Sequence, residues 1–298
     1  MKQDYPKLGI EALCRLFGKT RHAYYDHLWR QEQNLLKDDL ILYHVLKFRE
    51  NMPRIGVRKL HYLLSEQLTT DGFKIGRDYL FNLLSEHKLL VRQRKRKAIT
   101  TNSKHWMHKY NNLIKELEIT RPEQVWVSDI TYIKLNQQWG YLSLITDAYS
   151  KRIMGYNFRN NLQADGCVEA LSMAVKSRQY NQSLIHHSDR GSQYCSKAYI
   201  DLLLKHNIAV SMTENGDPYE NAIAERINGI LKTEFNLHYS TNSFELTLTT
   251  IAKCIEVYNQ QRPHASCDFL TPNQAHSHEG TLKRRWKNYN NYFIENKV

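Results

Sequence analysis

At residue 123 the hydrophobic period of this chain changes from that of helices to that of strands, and this change does most to limit the folds open to it. EQVWVSDITYIKL alternates, which puts Val125, Val127, Asp129, Thr131 and Ile133 on one face. NQQWG then turns, YLSLITDAYS forms a second strand, and KRIMGYNF forms a third. Residues 164–179 read as a helix and SLIHHSD (183–189) as a short buried strand ending in a polar corner. SKAYIDLLLKHN is a further helix and IAVSM a further strand. Three antiparallel strands followed by alternating helices and strands specify an α/β fold, a mixed sheet covered by helices.

The helix after IAVSM carries the most unusual face. In SMTENGDPYENAIAERINGILKTEF (211–235), Asp217 and Pro218 supply a turn and Asn221 can cap. Ile223, Ile227, Ile230 and Leu231 recur at helical spacing and predict one buried face. Asn221, Glu225, Asn228, Gly229 and Lys232 fall on the other, giving an acid, two amides, a bare backbone patch and a cation. An isolated Glu225–Lys232 pair would read as an ordinary surface ion pair. Two acids upstream change that reading.

Asp129 lies inside the first strand between Val127 and Thr131, where burial is expected, and an unpaired buried carboxylate is costly. Asp189 ends SLIHHSD before the turn Arg190-Gly191-Ser192, which leaves its carboxylate at the sheet edge. Glu225 stands on the later helix. Three acids from separate elements repel one another unless a divalent cation neutralises them, and hard oxygen donors suit Mg2+ or Mn2+. Two such ions activate an attacking oxygen and stabilise a leaving one in phosphoryl transfer, with Lys232 placed to hold a target phosphate. Asp147 is expected to order the turn AYSKR instead of joining the acids. Of His186 and His187, one is expected in the core and the other near the site. Tyr141, Tyr149 and most other tyrosines read as core or sheet residues.

Before residue 123 the chain is helical and basic. Residues 1–110 carry 22 Lys or Arg against 11 Asp or Glu, whereas residues 111–298 carry 20 against 19, so the net charge of +12 is concentrated at the amino-terminal end. A polyanion partner is expected there. LGIEALCRLFGKTRHAYYDHLW (8–29) reads as two short helices split by Gly18, with Thr20 capping the second, in helix-turn-helix order. IGVRKLHYLLSE, the turn-rich TTDGFKIG and RDYLFNLLSEHKLL form a second helical pair, whose last helix opens at Arg77 and Asp78. It runs into the basic VRQRKRK, suited to phosphate contact. Residues 98–120 are polar and suit a linker. His105 and His108 have zinc-like spacing but no cysteine pair to complete a site. The five cysteines are scattered, as free thiols of a reducing compartment would be. No signal peptide or membrane span is evident, and a cytoplasmic protein is expected.

The strings WVSDITYI, HHSDRGSQY and NAIAERINGILKTE, in that order, resemble the signature of the DDE transposases of the bacterial IS3 insertion-sequence family, which are similar to retroviral integrases. YNQQRPHASCDFLTPNQA (258–275) resembles the family's carboxyl-terminal YNxxRPHxSLxxxTP pattern, and LCRLFGKTRHAYYDHL its amino-terminal helix-turn-helix. The resemblance covers nearly the whole chain. It implies an RNase H-like catalytic domain at 121–282, a helix-turn-helix module at 1–33, a second DNA-binding helical module at 37–97, a linker at 98–120 and a basic tail at 283–298. Asp129, Asp189 and Glu225 match the family's metal-binding triad. Contacts to DNA are expected from Lys232, Arg190, Asn221 and Asn228 around the triad, with Tyr194 as a further candidate. Others are expected from Arg77, Arg92, Arg94, Lys95, Arg96 and Lys97 in the second module, and from Arg262 and His264 in the RPH segment. Two departures, Glu220 before Asn-Ala and Cys267 in place of Leu, bear on local packing alone.

The resemblance implies metal-dependent cleavage and strand transfer at the terminal inverted repeats of an insertion sequence, with target DNA as second substrate, in at least a homodimer. An upstream-frame protein is a further implied partner, because no heptad run is evident here. Two other readings are a DNA-binding regulator without activity of its own and an RNase H-like metal-dependent endonuclease that never joins.

Overall fold

The computed structural model describes residues 7–92, 106–135, 138–214, 221–237, 243–278, 280–283 and 285. Arg94, Lys95, Arg96, Lys97, His105, Asp217, Pro218, Glu220, part of the first strand turn and nearly all of the 283–298 tail lie outside the described residues.

The amino-terminal part is helical, as its period dictates. Helices α1 (Ile10–Leu16) and α2 (Arg21–Asn51) meet at Gly18, whose φ of +62° favours a residue without Cβ. Thr20 caps α2 by accepting from the Ala23 amide at 3.1 Å. Helix α2 continues unbroken through residues 34–36, between the two expected modules. Helices α3 (Val57–Thr70) and α4 (Arg77–Glu86) follow, and Leu60, Leu64, Leu68, Leu80 and Leu84 bury completely with Ile41 and Val45 of α2.

The strands are β1 (Val125–Leu135), β2 (Gln138–Asp147), β3 (Ile153–Arg159), β4 (Leu184–Ser188) and β5 (Ile208–Met212). They form one sheet in the order β3-β2-β1-β4-β5. The first three pair antiparallel, and β4 joins β1 and β5 in parallel. This mixed sheet, helix-covered on both faces, is RNase H-like. On one face α5 (Ala164–Lys176) and α6 (Lys197–Lys205) pack on Trp126, Ile145 and Met154. A Cβ on Gly155 would meet the Ala170 carbonyl at 2.1 Å, so glycine there lets α5 approach β3. On the other face α7 (Ala222–Glu234) and α8 (Phe244–Gln261) cover Ile133, Leu142 and Leu144.

That second core is continuous with the core of α2–α4. A polar tie reinforces the junction: Glu234 at the end of α7 accepts from Lys59 of α3 at 2.9 Å and from both Nε and Nη2 of Arg262 at 2.8 and 2.9 Å. Its cationic partners hold Glu234 down at about 2 against the upward push of burial.

The carboxyl-terminal segment closes the domain through a short 3-10 turn (Ala265–Cys267) and α9 (Pro272–His276), which Thr271 opens with a capping box. His276 enters a fully buried acidic pair, with Nε2 3.3 Å from Glu123 and Nδ1 3.6 Å from Asp147. Asp147 also accepts from the Ser150 amide at 2.8 Å and its hydroxyl at 2.6 Å, so it orders the AYSKR turn as its position in the sequence suggested. The five cysteines are free thiols. No described helix is long and apolar enough to cross a membrane.

Candidate active site

Strand register brings the first two acids together. In the parallel pair β1/β4 the last matched residues are Val127 and His187, and Asp129 and Asp189 each stand two residues further on. Two positions along restores the same face of the sheet, and adjacent strands lie about 4.8 Å apart. The alternation in EQVWVSDITYIKL therefore points Asp129 to the α7 side, beside buried Val127 and Thr131. Asp189 leads the turn after β4, and its Oδ1 accepts from the Gly191 amide at 3.0 Å. A Cβ at Gly191 would come within 3.1 Å of that oxygen, which explains a glycine in this turn.

Helix α7 brings the third. Asn221 Nδ2 donates to the Ser128 carbonyl of β1 at 2.9 Å, and Asn228 Nδ2 donates to Asp129 Oδ2 at 2.8 Å. Glu225 lies four residues after the first amide and three before the second, on the same helix face. Asp129 Oδ1 accepts from the Ile130 amide at 2.9 Å. Burial first, then the charge of Asp189 and more weakly that of Glu225, push Asp129 up to about 7 against the two hydrogen bonds that favour its ionised form. Burial holds the Lys232 ammonium below its ordinary value, and the negative charge of Asp129 partly restores it. A Cβ on Gly229, between Glu225 and Lys232 on this face, would meet nothing within 4 Å.

The donor set suits a hard divalent cation, being carboxylate oxygens around a half-buried acid whose ionised form like charges disfavour. Among the described residues, however, no three His, Cys, Asp or Glu side chains are gathered closely enough to hold an ion. The charges of Asp189 and, more weakly, Glu225 still act on Asp129.

Several expected contacts fall elsewhere. Arg262 and His264 are not surface DNA contacts: Arg262 is 1% exposed and clamped on Glu234, and His264, also buried, lies 2.7 Å from Arg262 Nη1. Asn221 does not cap α7 with its side chain; its Nδ2 instead donates to the Ser128 carbonyl of β1. Asn221 and Asn228 are both buried, holding α7 against β1. Tyr194 is buried against the rings of His186 and Tyr199. Both histidines of the pair are buried and meet neighbouring hydroxyls. His186 Nε2 is 2.6 Å from Ser128 Oγ and 2.8 Å from Tyr199 OH, and His187 Nδ1 is 2.8 Å from Ser211 Oγ. Burial above all holds His186 down at about 3, in its neutral form. Arg190 is half-buried beside Asp189, whereas Arg77 and Arg92 are exposed. Nothing in the sequence marks His276 or Glu123 as members of a buried charged cluster, since neither sits in a periodic polar pattern.

Residues 119–218 and 206–272 match two family models, each described as Integrase core domain. The insertion element IS600 uncharacterized 31 kDa protein of Shigella sonnei is 34% identical over 268 residues, 87% of this chain and 96% of that protein. The transposase InsF for insertion sequence IS3A of Escherichia coli (strain K12) is 27% identical over 92% of this chain and 96% of its own length. Among solved structures, the HTLV-2 integrase catalytic core domain in complex with magnesium (trimeric form) is 19% identical, covering 52% of this chain and 97% of that chain with a TM-score of 0.42. The matched integrase-core models and the transposase relatives define an enzyme of the polynucleotidyl-transferase class. The chain belongs to the IS3 family of insertion-sequence transposases, and its function is that of a DDE transposase in DNA transposition.

Proposed function

We propose that Asp129, Asp189 and Glu225 are the catalytic carboxylates of this transposase and hold Mg2+ or Mn2+, as two ions. The observation that carries this reading is the placement of the acids: Asp129 and Asp189 each stand two residues past a matched pair of parallel strands, and α7, tied to β1 through Asn221 and Asn228, carries Glu225 between those two amides. When bound, such ions supply Lewis-acid activation of the attacking oxygen and charge stabilisation of the leaving one. The chain's own groups do the positioning. Asn228 fixes Asp129 Oδ2, the Gly191 turn fixes Asp189 Oδ1, and the bonds from Asn221 and Asn228 set the height of Glu225 over the sheet. Lys232 offers a cation to a phosphate oxygen, and the uncovered backbone at Gly229 lets a sugar-phosphate chain approach.

Two in-line displacements at phosphorus follow. Water attacks one phosphodiester at the element end and expels a 3′ hydroxyl, and that hydroxyl then attacks a second phosphodiester with loss of its 3′ oxygen. No covalent protein intermediate is required. Arg77, Arg92, Arg190 and the run from Arg94 to Lys97 supply phosphate contacts for the terminal inverted repeats. Pairing two ends calls for at least two copies of the chain, with an upstream-frame protein as a further partner in the cytoplasm. The test is incubation of the purified chain with labelled duplex carrying the flanking element's ends in Mg2+, Mn2+ or EDTA. Cleaved and joined products that vanish in EDTA are expected. Cleavage without any joining would instead indicate an endonuclease, and binding without chemistry a regulator.

A further inference from the structure

The β1–β2 hairpin carries an aromatic face that neither catalysis nor the core uses. Tyr132 pairs directly with Tyr141 across the two strands, and Lys134 with Trp139. Side chains two apart share a face, so these four project together, and Arg159 of β3, paired with Tyr141, joins them. The face is the one that α5 covers further along, where Ser143 meets Cys167. Beyond the amino-terminal end of α5 the described residues leave this face of the sheet open. There Trp139 is 48% exposed, Tyr132 and Tyr141 are half-buried and Lys134 is exposed. The rings are ordered among themselves, Tyr132 lying edge-on to Trp139 at 6.4 Å and to Tyr141 at 5.2 Å. Arg159 pairs with Glu169, which keeps its guanidinium at the border of the patch.

This face lies on the other side of the sheet from Asp129, which points to α7. Tyr132 is three residues along β1 from Asp129, about 10 Å in an extended strand. Its hydroxyl is pushed above the ordinary tyrosine value by burial, then by Tyr141, and then by the charges of Asp129 and Asp189. Core tyrosines of this chain look different: Tyr194 and Tyr199 are buried to 2% and 1% exposure within the α5–α6 layer.

We propose that Trp139, Tyr132 and Tyr141 form a stacking platform for unpaired nucleobases at the end of the DNA, with Lys134 and Arg159 taking the adjoining phosphates. An exposed indole in an edge-on aromatic ladder, flanked by two cations, fits single-stranded nucleic acid: every base has a π face to stack and every nucleotide a phosphate to neutralise. The platform rests on the reading of this chain as an enzyme of DNA ends. It adds that the strand is frayed or overhanging beyond the acids, where it reaches the hairpin on the other face of the sheet, and that the enzyme stabilises the opened form.

The test uses the full chain in EDTA, which prevents turnover, and compares a blunt duplex with one of equal length bearing a short unpaired thymidine overhang. The overhang is expected to bind roughly ten-fold more tightly, the contribution of a stacked base. Trp139→Ala should erase that preference while leaving blunt-duplex affinity within two-fold, and Trp139→Tyr should keep most of it. Because Trp139 is half-exposed, the alanine variant is expected to fold, and an unchanged circular dichroism spectrum checks this. Equal binding of both duplexes by the wild type overturns the platform and leaves the DNA reading intact, as does a Trp139→Ala chain that still prefers the overhang. A wild type that binds neither duplex overturns both.

Discussion

Asn228 donates a 2.8 Å hydrogen bond to Asp129 Oδ2, and so the helix bearing Glu225 is fixed to the strand bearing Asp129 by the side chain of a neighbour on the same helix face. The site thus depends on an amide that touches an acid without being one. It also depends on the parallel register that sets Asp189 beside Asp129.

The raised value of Asp129 has a consequence for stability. The folded chain keeps this proton up to about 7, whereas an unfolded aspartate releases it near 3.8. Between those values the native state binds more protons, so stability falls as pH rises through this window. Asp129→Asn should remove that fall and raise the melting temperature at neutral pH in EDTA. Added Mg2+ should raise the melting temperature of the wild type and do little for Asp129→Asn, as thermal scans of both proteins with and without the ion would record.

Glu234 joins α3, α7 and the RPH segment. In Glu234→Ala, Arg262, 1% exposed, keeps its charge and loses its carboxylate. Breaking a buried pair from one side costs about 3–5 kcal/mol. A large drop in the urea midpoint is expected, with the helical module and the catalytic domain loosening together.

The His276 cluster gives the opposite pH dependence. Burial lowers this imidazole, but its hydrogen bonds to Asp147 and Glu123 and the charge of Asp147 more than offset that, raising it above 6.5. Its contribution is fully present below pH 6.5 and is lost as pH rises through the folded value. Wild-type stability should therefore decline on the alkaline side of 6.5 with a component that His276→Asn lacks, measured by denaturant titration at a series of pH values.

Gly229 has open space where a side chain would sit. Helix interiors favour alanine over glycine by about 0.5–1 kcal/mol, so Gly229→Ala should stabilise the fold by that amount. If a sugar-phosphate backbone passes over this turn, the same variant loses strand transfer. Melting temperature and activity should move in opposite directions.

How much of this was legible beforehand follows from which interactions are local. The strand period around Asp129 and the 3.6-residue spacing of Asn221, Glu225, Asn228, Gly229 and Lys232 are local patterns, and the five-stranded sheet and the polar face of α7 follow from them. Arg262 and His264 show the limit. A cation in a polar loop has the same sequence appearance whether it meets a phosphate or a carboxylate 28 residues away, and only the packing of α7 against the RPH segment decides between them. Tyr194 misled for a similar reason, since a tyrosine beside the Asp189 turn is as easily core as surface. The unbroken run of α2 between the expected modules was hidden because its apolar residues do not keep to one side of the helix.

The most direct measurement of the central claim, that three carboxylates act as one site, is strand transfer by Asp129→Asn, Asp189→Asn and Glu225→Gln beside the wild type on labelled element ends with Mg2+. Each single substitution should abolish both cleavage and joining while end binding in EDTA remains within a few-fold of the wild type. A variant that retains either step at near wild-type rate would contradict the account and remove that acid from the site.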